Sequence, residues 1–559
     1  MEDIPRLANN RYEIHPYSIE KLNFLLAKKS GADPSVIRNK PHCDRLKVYF
    51  NKIPTETIIV EEHYVDHHFL DDFTGYYVVC FKPYKRWCTR LHFFGNKFGK
   101  ETFEDILQKK IKGDELQEIS DSYIGFIVVK PLPKTIFGKT CLKTLSEDPP
   151  GRKYPITRRY RANLFGWNLE VKSLAFQEQD KVVGACSTSA LWSVLQGTGV
   201  TFHHHIPTPV EITRSATQYV PPAPPETRHF PNSGLTVPHM AQAIKQVNLV
   251  PFYVSPRTAD FQCVADYLKA IVYGYLEGHI PILMTFHLVD YPEGEPPQLR
   301  KGIHAVAITG YLPDKHKAVP LRHKEGEPGC LLKASRISML FVHDDQIGPF
   351  TRMEFSEEGR EYILPRELAE GYDYSLSTSW RCAGGKPGKV RAVPLALMIP
   401  LYCKIRIDYG TVLKAVVSLD GIIEMFRNTN RTTLSQQLEW DIYLTTLNDY
   451  KTQLAQREDL DWNVRRQALI HGMPRFIWKA TAYDGEKTVI DLLFDATDIE
   501  QACLLAHAVP YSSNVYELLE YVSKDRKLSK MIKPTMAWKV LEWFSNLKKK
   551  NNSKGTLKK

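Results

Sequence analysis

The chain has 559 residues, of which 43% are hydrophobic and 25% are charged, an ordinary composition for a soluble globular protein. This composition excludes global disorder, and the length predicts about three domains of roughly 100–200 residues each. No apolar run reaches the roughly 18 residues of a membrane-spanning helix, and the opening residues lack a signal-peptide pattern. We therefore predict a cytoplasmic protein without a membrane partner.

The basic charge is concentrated at the end of the chain. The net charge is +11, and six lysines lie among the last twelve residues, 548–559, beside Asn, Ser and Gly. This composition predicts a basic, disordered tail. No nucleic-acid motif occurs elsewhere, so we do not expect nucleic acid to be the ligand.

Ten cysteines are scattered along the chain without a C-x-x-C pair. In a reducing compartment they are free thiols, and most are expected to be buried as small apolar side chains. A cysteine whose neighbouring sequence differs from that of a buried structural cysteine is therefore a candidate for a chemical role.

Residues 1–165 are predicted to form an N-terminal α/β accessory domain. Runs rich in aromatic and β-branched residues predict strands at 47–50, 76–81 and 123–129. The Pro/Gly/Arg-rich stretch 148–155 predicts a long loop or a linker at the end of this part. No cluster of catalytic residue types occurs here.

Residues 166–400 are predicted to form the domain that contains the candidate catalytic residues, of which Cys186 is the first. Small residues precede it, and an apolar pattern of helical period starts at Ser187 and is predicted to end at Gly197 as a C-cap. This places Cys186 at the N-terminus of a helix, where unpaired N–H groups and the helix dipole favour a thiolate. A thiolate is the attacking species in cysteine catalysis.

A proline-rich segment follows this helix. Residues 207–231 contain seven prolines, a composition that excludes a helix interior or a central strand. We predict an extended loop, and long loops inside compact domains are often lids or binding loops.

A histidine and two aspartates lie at the ends of predicted strands. His304 opens a run of small and β-branched residues that is closed by Gly310, and a second apolar run ends at Asp344 and Asp345. A carboxylate at the end of the neighbouring strand is placed to orient the imidazole and to stabilise its charged form.

Residues 401–547 are predicted to form a C-terminal α+β accessory domain. It is expected to contain two strands joined by the turn at 483–486, together with three helices. The strands are predicted at 478–483 and 489–494, and the helices at 412–426, 498–508 and 511–521.

The order of these features resembles the papain-like cysteine peptidases, and among them the bacteriocin-processing peptidase branch. Members of that branch have a Gln before the Cys, a Cys that opens the central helix, a Gly-Leu before a second helix, a His that opens a small-residue strand, and an Asp followed closely by a Gly. The matching residues here are Gln179, Cys186, Gly234, Leu235, the strand from His304 to Tyr311, Asp344 and Gly348. The resemblance covers about 175 residues, under a third of the chain.

The resemblance implies an α+β fold with a papain-like core, in which the helix bearing the Cys packs on an antiparallel sheet. It implies that Cys186 is the nucleophile, that His304 is the general base and acid, and that Asp344 orients His304. It also implies that Gln179 donates a hydrogen bond to the oxyanion, together with the Cys186 backbone N–H. Gln177 is the alternative, because the family's glutamine usually stands six positions before the cysteine, and that position is Asp180 here. Loop insertions are expected in the proline-rich stretch and between Leu312 and Ser335.

The predicted activity is a cysteine peptidase that cleaves a peptide or isopeptide bond without a cofactor or a metal. Its partners are a protein or peptide substrate and, through the flanking domains, a regulatory protein. One alternative is an amine acyltransferase of the transglutaminase or arylamine acetyltransferase type, which shares the Cys–His–Asp order. Another is a catalytically inactive papain-like interaction protein.

Three adjacent histidines, 203–205, are read as part of a polar loop and not as a zinc site, because no second ligand cluster has zinc-like spacing.

Overall fold

The protein is described from a computed structural model. The described residues are 11–145, 150–180, 186–218, 234–256, 264–315, 318–321, 329–355, 365, 368, 374–429, 431–500 and 504–555. The chain is a mixed α+β protein, and all of its strand pairs but one are antiparallel within this described part. Among the described helices, none has both the length and the apolar character that a bilayer span requires.

The N-terminal part is a five-stranded antiparallel sheet with flanking helices. Its strands, in sheet order, are β1 (Tyr12–Pro16), β2 (Thr57–Tyr64), β3 (Cys88–Phe94), β4 (Tyr123–Val129) and β5 (Phe137–Leu142). Its helices are α1 (Ile19–Ser30), α2 (Pro34–Arg38), α3 (Pro41–Phe50), α4 (His67–Gly75), α5 (Lys100–Leu107) and α6 (Gly113–Asp121).

Of the three strands predicted in this part, only 123–129 is confirmed, as β4. Residues 47–50 are the last turn of α3, so the predicted strand is wrong. The helix begins at Pro41 and buries Leu46, Tyr49 and Phe50 on one face, a spacing that suits a helix better than a strand. The strand predicted at 76–81 is also wrong, because Tyr77–Val79 form a short 3₁₀ helix. Here Phe81 is fully exposed.

A hairpin joins the N-terminal sheet to the next part of the chain. It consists of β6 (Arg158–Leu164) and β7 (Trp167–Ser173), which turn at Phe165 and Gly166, both with positive φ. Trp167 stacks on Phe94 of β3, with ring centroids 5.3 Å apart. The domain boundary predicted after residue 165 therefore falls on this turn. One hydrophobic core contains residues from both sides of that boundary.

The central part is an eight-stranded antiparallel sheet. Its strands are β8 (Leu249–Val254), β9 (Ile282–Pro292), β10 (Gln298–Leu299), β11 (His304–Pro313), β14 (Ile337–Asp344), β15 (Gly348–Glu354), β16 (Leu376–Ser377) and β17 (Gly388–Tyr402). Its helices are α7 (Cys186–Phe202), α8 (Pro209–Thr217), α9 (Val237–Gln246) and α10 (Val264–Leu276). The sheet order is β10-β9-β11-β14-β15-β16-β17-β8, and β9 also pairs with β17, so six of the strands form a closed ring.

Helix α7 packs on strands β9, β11 and β14. It begins at Cys186, and it continues to Phe202, so the predicted C-cap at Gly197 is wrong. A Cβ at Gly197 would lie 2.9 Å from Ile156 and 3.1 Å from Pro281. The glycine thus permits close packing and does not end the helix.

The proline-rich segment also departs from the prediction. Its first part is helix α8, in which Pro209 occupies the first turn and Thr208 and Glu211 form a capping box. Proline is tolerated at that position because the first N–H groups of a helix have no intrahelical partner. The remaining prolines, from residue 221 onward, lie outside the described residues.

The C-terminal part contains a third sheet, with the order β12-β13-β18-β19-β20-β21. Its strands are β12 (Pro320–Leu321), β13 (Cys330–Leu332), β18 (Glu439–Thr446), β19 (Phe476–Asp484), β20 (Lys487–Asp495) and β21 (Leu505–Pro510). Its helices are α11 (Tyr409–Asn428), α12 (Leu447–Ala455), α13 (Trp462–Ile470), α14 (Ser513–Lys524), α15 (Arg526–Ile532) and α16 (Trp538–Gly555).

Most elements predicted in this part are confirmed: β19, β20, their turn, α11 and α14. The helix predicted at 498–508 is wrong, because residues 505–510 form β21 and pair with β20. Helix α16 continues to Gly555, past residue 548, where the disordered tail was predicted to begin. Strand β13, in the predicted insertion between residues 312 and 335, pairs with β18, so the central and C-terminal parts share one hydrophobic core.

Candidate active site

Cys186 is the first residue of α7, and its side chain is partly exposed. Its Sγ lies 3.9 Å from Oγ of Ser187. Five other described cysteines are buried, and burial raises the thiol pKa of Cys43 and Cys141 to about 12. Buried thiols of this kind are poor nucleophiles, so the accessible Cys186 stands apart from them. The small residues before it, 181–185, lie outside the described residues.

His304 is the first residue of β11 and is buried. The neighbouring Cys186 side chain contributes to raising the pKa of its imidazole. Its Nε2 lies 3.1 Å from Oδ1 of Asp344, which leaves Nδ1 as the ring nitrogen available to the thiol. The ring is also held edge-on by Phe286, at 5.3 Å between centroids.

Asp344 is the last residue of β14, which is the antiparallel neighbour of β11. The start of one antiparallel strand lies at the same sheet edge as the end of the next, so the topology brings Asp344 to His304. Oδ1 also accepts the backbone N–H of Gln346 at 3.0 Å. The structure thus brings together Cys186, His304 and Asp344 from three distant stretches of sequence.

Trp380 is the fourth member of this cluster, and no sequence motif pointed to it. Its indole Nε1 donates a hydrogen bond to Oδ2 of Asp344 at 2.9 Å. Its ring also packs edge-on against His304, with centroids 5.1 Å apart. The Trp380 side chain therefore supplies a hydrogen-bond donor to the second carboxylate oxygen of Asp344 and covers the His304–Asp344 hydrogen bond.

The electrostatics favour an imidazolium at His304. Burial alone lowers its pKa, but the charge and hydrogen bond of Asp344, the neighbouring Cys186 side chain and the charge of Asp345 raise it well above its ordinary value. Burial opposes ionisation of Asp344, yet His304, Gln346 and Trp380 lower the pKa of this carboxyl. The stable state near neutral pH is therefore an imidazolium beside an aspartate.

Asp345 lies beside this pair but does not form a hydrogen bond with His304. Its Oδ1 is 3.7 Å from Nε2 of His304. Neither of its carboxylate oxygens has a hydrogen-bond partner in the described part of the chain. Burial, with the nearby Asp344 charge and against the attraction of His304, raises its pKa to about 7.

Asp345→Asn should stabilise the fold, and the gain should depend on pH. A raised pKa means that the folded state keeps a proton that the unfolded chain loses near pH 4, so ionisation of Asp345 costs stability. This cost is small at pH 5 and complete above pH 7. We expect the melting temperature of Asp345→Asn to exceed that of the wild type more at pH 8 than at pH 5. A gain confined to pH 5 would contradict this assignment.

The two candidate glutamines differ in their exposure. Gln177 is buried, whereas Gln179 is half-buried and lines a large cavity together with Asp345 and Trp380. Within the described residues, neither glutamine makes a hydrogen bond to Cys186 or His304. Gln179 is the better placed of the two to reach a substrate, because it faces open space beside the cluster.

Metal binding is a further chemical possibility at this position. Ligand atoms of His304, Asp344 and Asp345 lie within 4.8 Å of one another. Asp344 already accepts hydrogen bonds on both oxygens, and a cation would have to displace them. His343 cannot contribute, because its two ring nitrogens contact Leu174 and Phe350 and burial lowers its pKa to about 3.

No protein-family model matches this chain, and no curated protein or solved structure matches it.

Proposed function

We propose that the protein is a thiol hydrolase that cleaves a peptide or isopeptide bond through an acyl-enzyme on Cys186. The observation that carries the proposal is the hydrogen bond between His304 and Asp344 beside the partly exposed thiol of Cys186, which contributes to raising the pKa of His304. The N-terminal position of Cys186 on a helix that packs on an antiparallel sheet also supports the papain-like resemblance.

The chemistry follows from these positions. The Cys186 thiolate attacks the substrate carbonyl carbon, and the negative charge moves to the carbonyl oxygen. The imidazolium of His304 donates its proton to the leaving nitrogen as the C–N bond breaks. Water then attacks the thioester, His304 accepts its proton, and the C–S bond breaks to release the acid.

Two groups are proposed to stabilise the oxyanion, the backbone N–H of Cys186 and the side-chain amide of Gln179. Loss of one such donor typically lowers the rate by about 100- to 1000-fold. Asp344 acts through His304, which it holds in orientation and stabilises in its charged form. Trp380 in turn positions Asp344.

The proposal is tested by incubating the full chain with a complex peptide mixture and sequencing new peptide termini by mass spectrometry. A hydrolase creates termini that are absent with Cys186→Ala. Adding a labelled amine distinguishes the acyltransferase alternative, in which the amine is incorporated in place of water. Absence of both products would favour a papain-like interaction protein.

A metal-dependent hydrolase is the second candidate, because of the ligand atoms of His304, Asp344 and Asp345. A chelator would abolish its activity, whereas Cys186→Ala would leave that activity largely intact. The thiol mechanism predicts the reverse pattern in both experiments.

A further inference from the structure

A large cavity opens between the N-terminal part and the central sheet. Its volume is about 1170 Å³. Helix α3 forms one wall, and residues 345–347 and 379–383 of the central part contribute to another. Gln179, Asp345 and Trp380 lie in its lining, and Trp380 contacts both His304 and Asp344. An occupant of this cavity would therefore lie beside the candidate catalytic cluster.

The lining is predominantly basic. Eight of the lining side chains are Lys or Arg and four are Asp or Glu. Several of the basic groups are neutralised locally: Lys40 pairs with Glu178, Arg381 with Asp44, and Arg300 with Asp290. The excess charge therefore depends on the basic groups that remain.

Arg45 and Arg352 are the two arginines among the basic groups that remain. Arg45 donates hydrogen bonds to the backbone carbonyls of Pro349 and Phe350, and neither arginine has a carboxylate partner in the described part of the chain. Burial and the nearby charges of Arg352 and Arg152 lower the pKa of Arg45 to about 10. Two guanidinium groups that repel one another in a half-buried wall are stabilised by an anion placed between them.

None of the acidic lining residues forms a salt bridge with Arg45 or Arg352 in the described part of the chain. Asp44 and Glu178 are already paired, and Asp180 accepts the hydroxyl of Tyr77. Asp345 is buried at the catalytic end of the cavity. The two arginines therefore contribute positive charge to the lining of the cavity.

We propose that this cavity binds acidic side chains of the substrate polypeptide, with Arg45 and Arg352 as the recognition residues. This inference rests on the proposed hydrolase function and names its substrate class. The volume exceeds the roughly 300–1,000 Å³ of typical small-molecule sites, and apolar residues such as Val48 and Ile347 lie between the charges. A peptide that carries carboxylates fits this combination better than a compact inorganic anion.

The test measures binding separately from catalysis. In the full-length Cys186→Ala protein, fluorescence anisotropy compares labelled hexaglutamate with labelled hexaglutamine at low salt. We expect hexaglutamate to bind at least about tenfold more tightly, which corresponds to about 1.4 kcal/mol, and to weaken as salt is added. Arg352→Gln should reduce hexaglutamate binding by several-fold, and Arg352→Lys by less.

The matched control is Arg159→Gln, which removes one positive charge from an exposed hairpin residue that is paired with Glu170. This control should bind hexaglutamate like the parent. Equal affinity for the two peptides, or equal effects of Arg352→Gln and Arg159→Gln, would overturn the proposal, as would binding of tripolyphosphate without binding of hexaglutamate. Hexaglutamate binding is measured on Cys186→Ala, which lacks the thiol, so a negative binding result does not contradict the hydrolase proposal. Likewise, a negative result in the peptide-cleavage assay does not change a measured preference for hexaglutamate.

Discussion

Asp344→Ala should slow alkylation of Cys186 at pH 6 by about 100-fold or more, a loss comparable to that of a general acid–base group. The charge and hydrogen bond of Asp344 are the largest of the contributions that raise the pKa of His304 against the effect of burial. Without them burial dominates, the imidazole becomes neutral near pH 6, and it no longer stabilises a thiolate. Iodoacetamide labelling followed by site-resolved mass spectrometry gives the rate.

Asp345→Ala is the matched control for this variant. It removes a neighbouring carboxyl that is equally buried, but one that lacks a hydrogen bond to the imidazole. We expect it to change the rate by only a few-fold. Similar losses in the two variants would mean that general packing, and not the His304–Asp344 hydrogen bond, sets the reactivity.

Gly310→Ala should destabilise the fold by about 3 kcal/mol or more, at the upper end of what overpacking costs. A Cβ at this position of β11 would lie 2.3 Å from the carbonyl oxygen of Lys153 and 2.9 Å from the ring of Tyr154. Lys153 is bridged to Tyr311 by two backbone hydrogen bonds of 2.9 and 3.0 Å. The backbone cannot retreat without breaking them. Chemical denaturation of the full chain measures the loss.

Gly421→Ala provides the opposite case. This glycine lies inside α11, and an added Cβ meets no atom within 4 Å. Alanine there should stabilise the protein by about 0.5–1 kcal/mol, because glycine weakens a helix interior. If both alanine variants shifted stability in the same direction, the close approach of the backbone at Gly310 would not explain the effect of Gly310→Ala.

The strands that hold the cluster were predictable because their sequences are strongly patterned. A continuous apolar run leads away from His304 and another leads to Asp344, and both form buried strands. Their adjacency in an antiparallel sheet then places the imidazole beside the carboxylate. The helix that opens at Cys186 follows from its apolar spacing in the same way.

Trp380 and the cavity were not predictable, because both depend on tertiary packing. Trp380 lies in a loop without periodicity, 36 positions after the carboxylate that it contacts. The cavity wall is α3, whose last residues resemble a strand in sequence and become helical where Tyr49 and Phe50 are buried. The error at 498–508 has a similar origin, since pairing with β20 overrides local helical spacing at Leu505 and Ala508.

The most direct test of the account is the alkylation rate of Cys186 relative to that of the exposed Cys403, measured at pH 6 in the wild type and in His304→Ala. A nucleophile activated by His304 should react at least about tenfold faster than Cys403, and this advantage should disappear in His304→Ala. Equal rates in the wild type, or a Cys186 rate that does not change in His304→Ala, would contradict the thiol hydrolase mechanism.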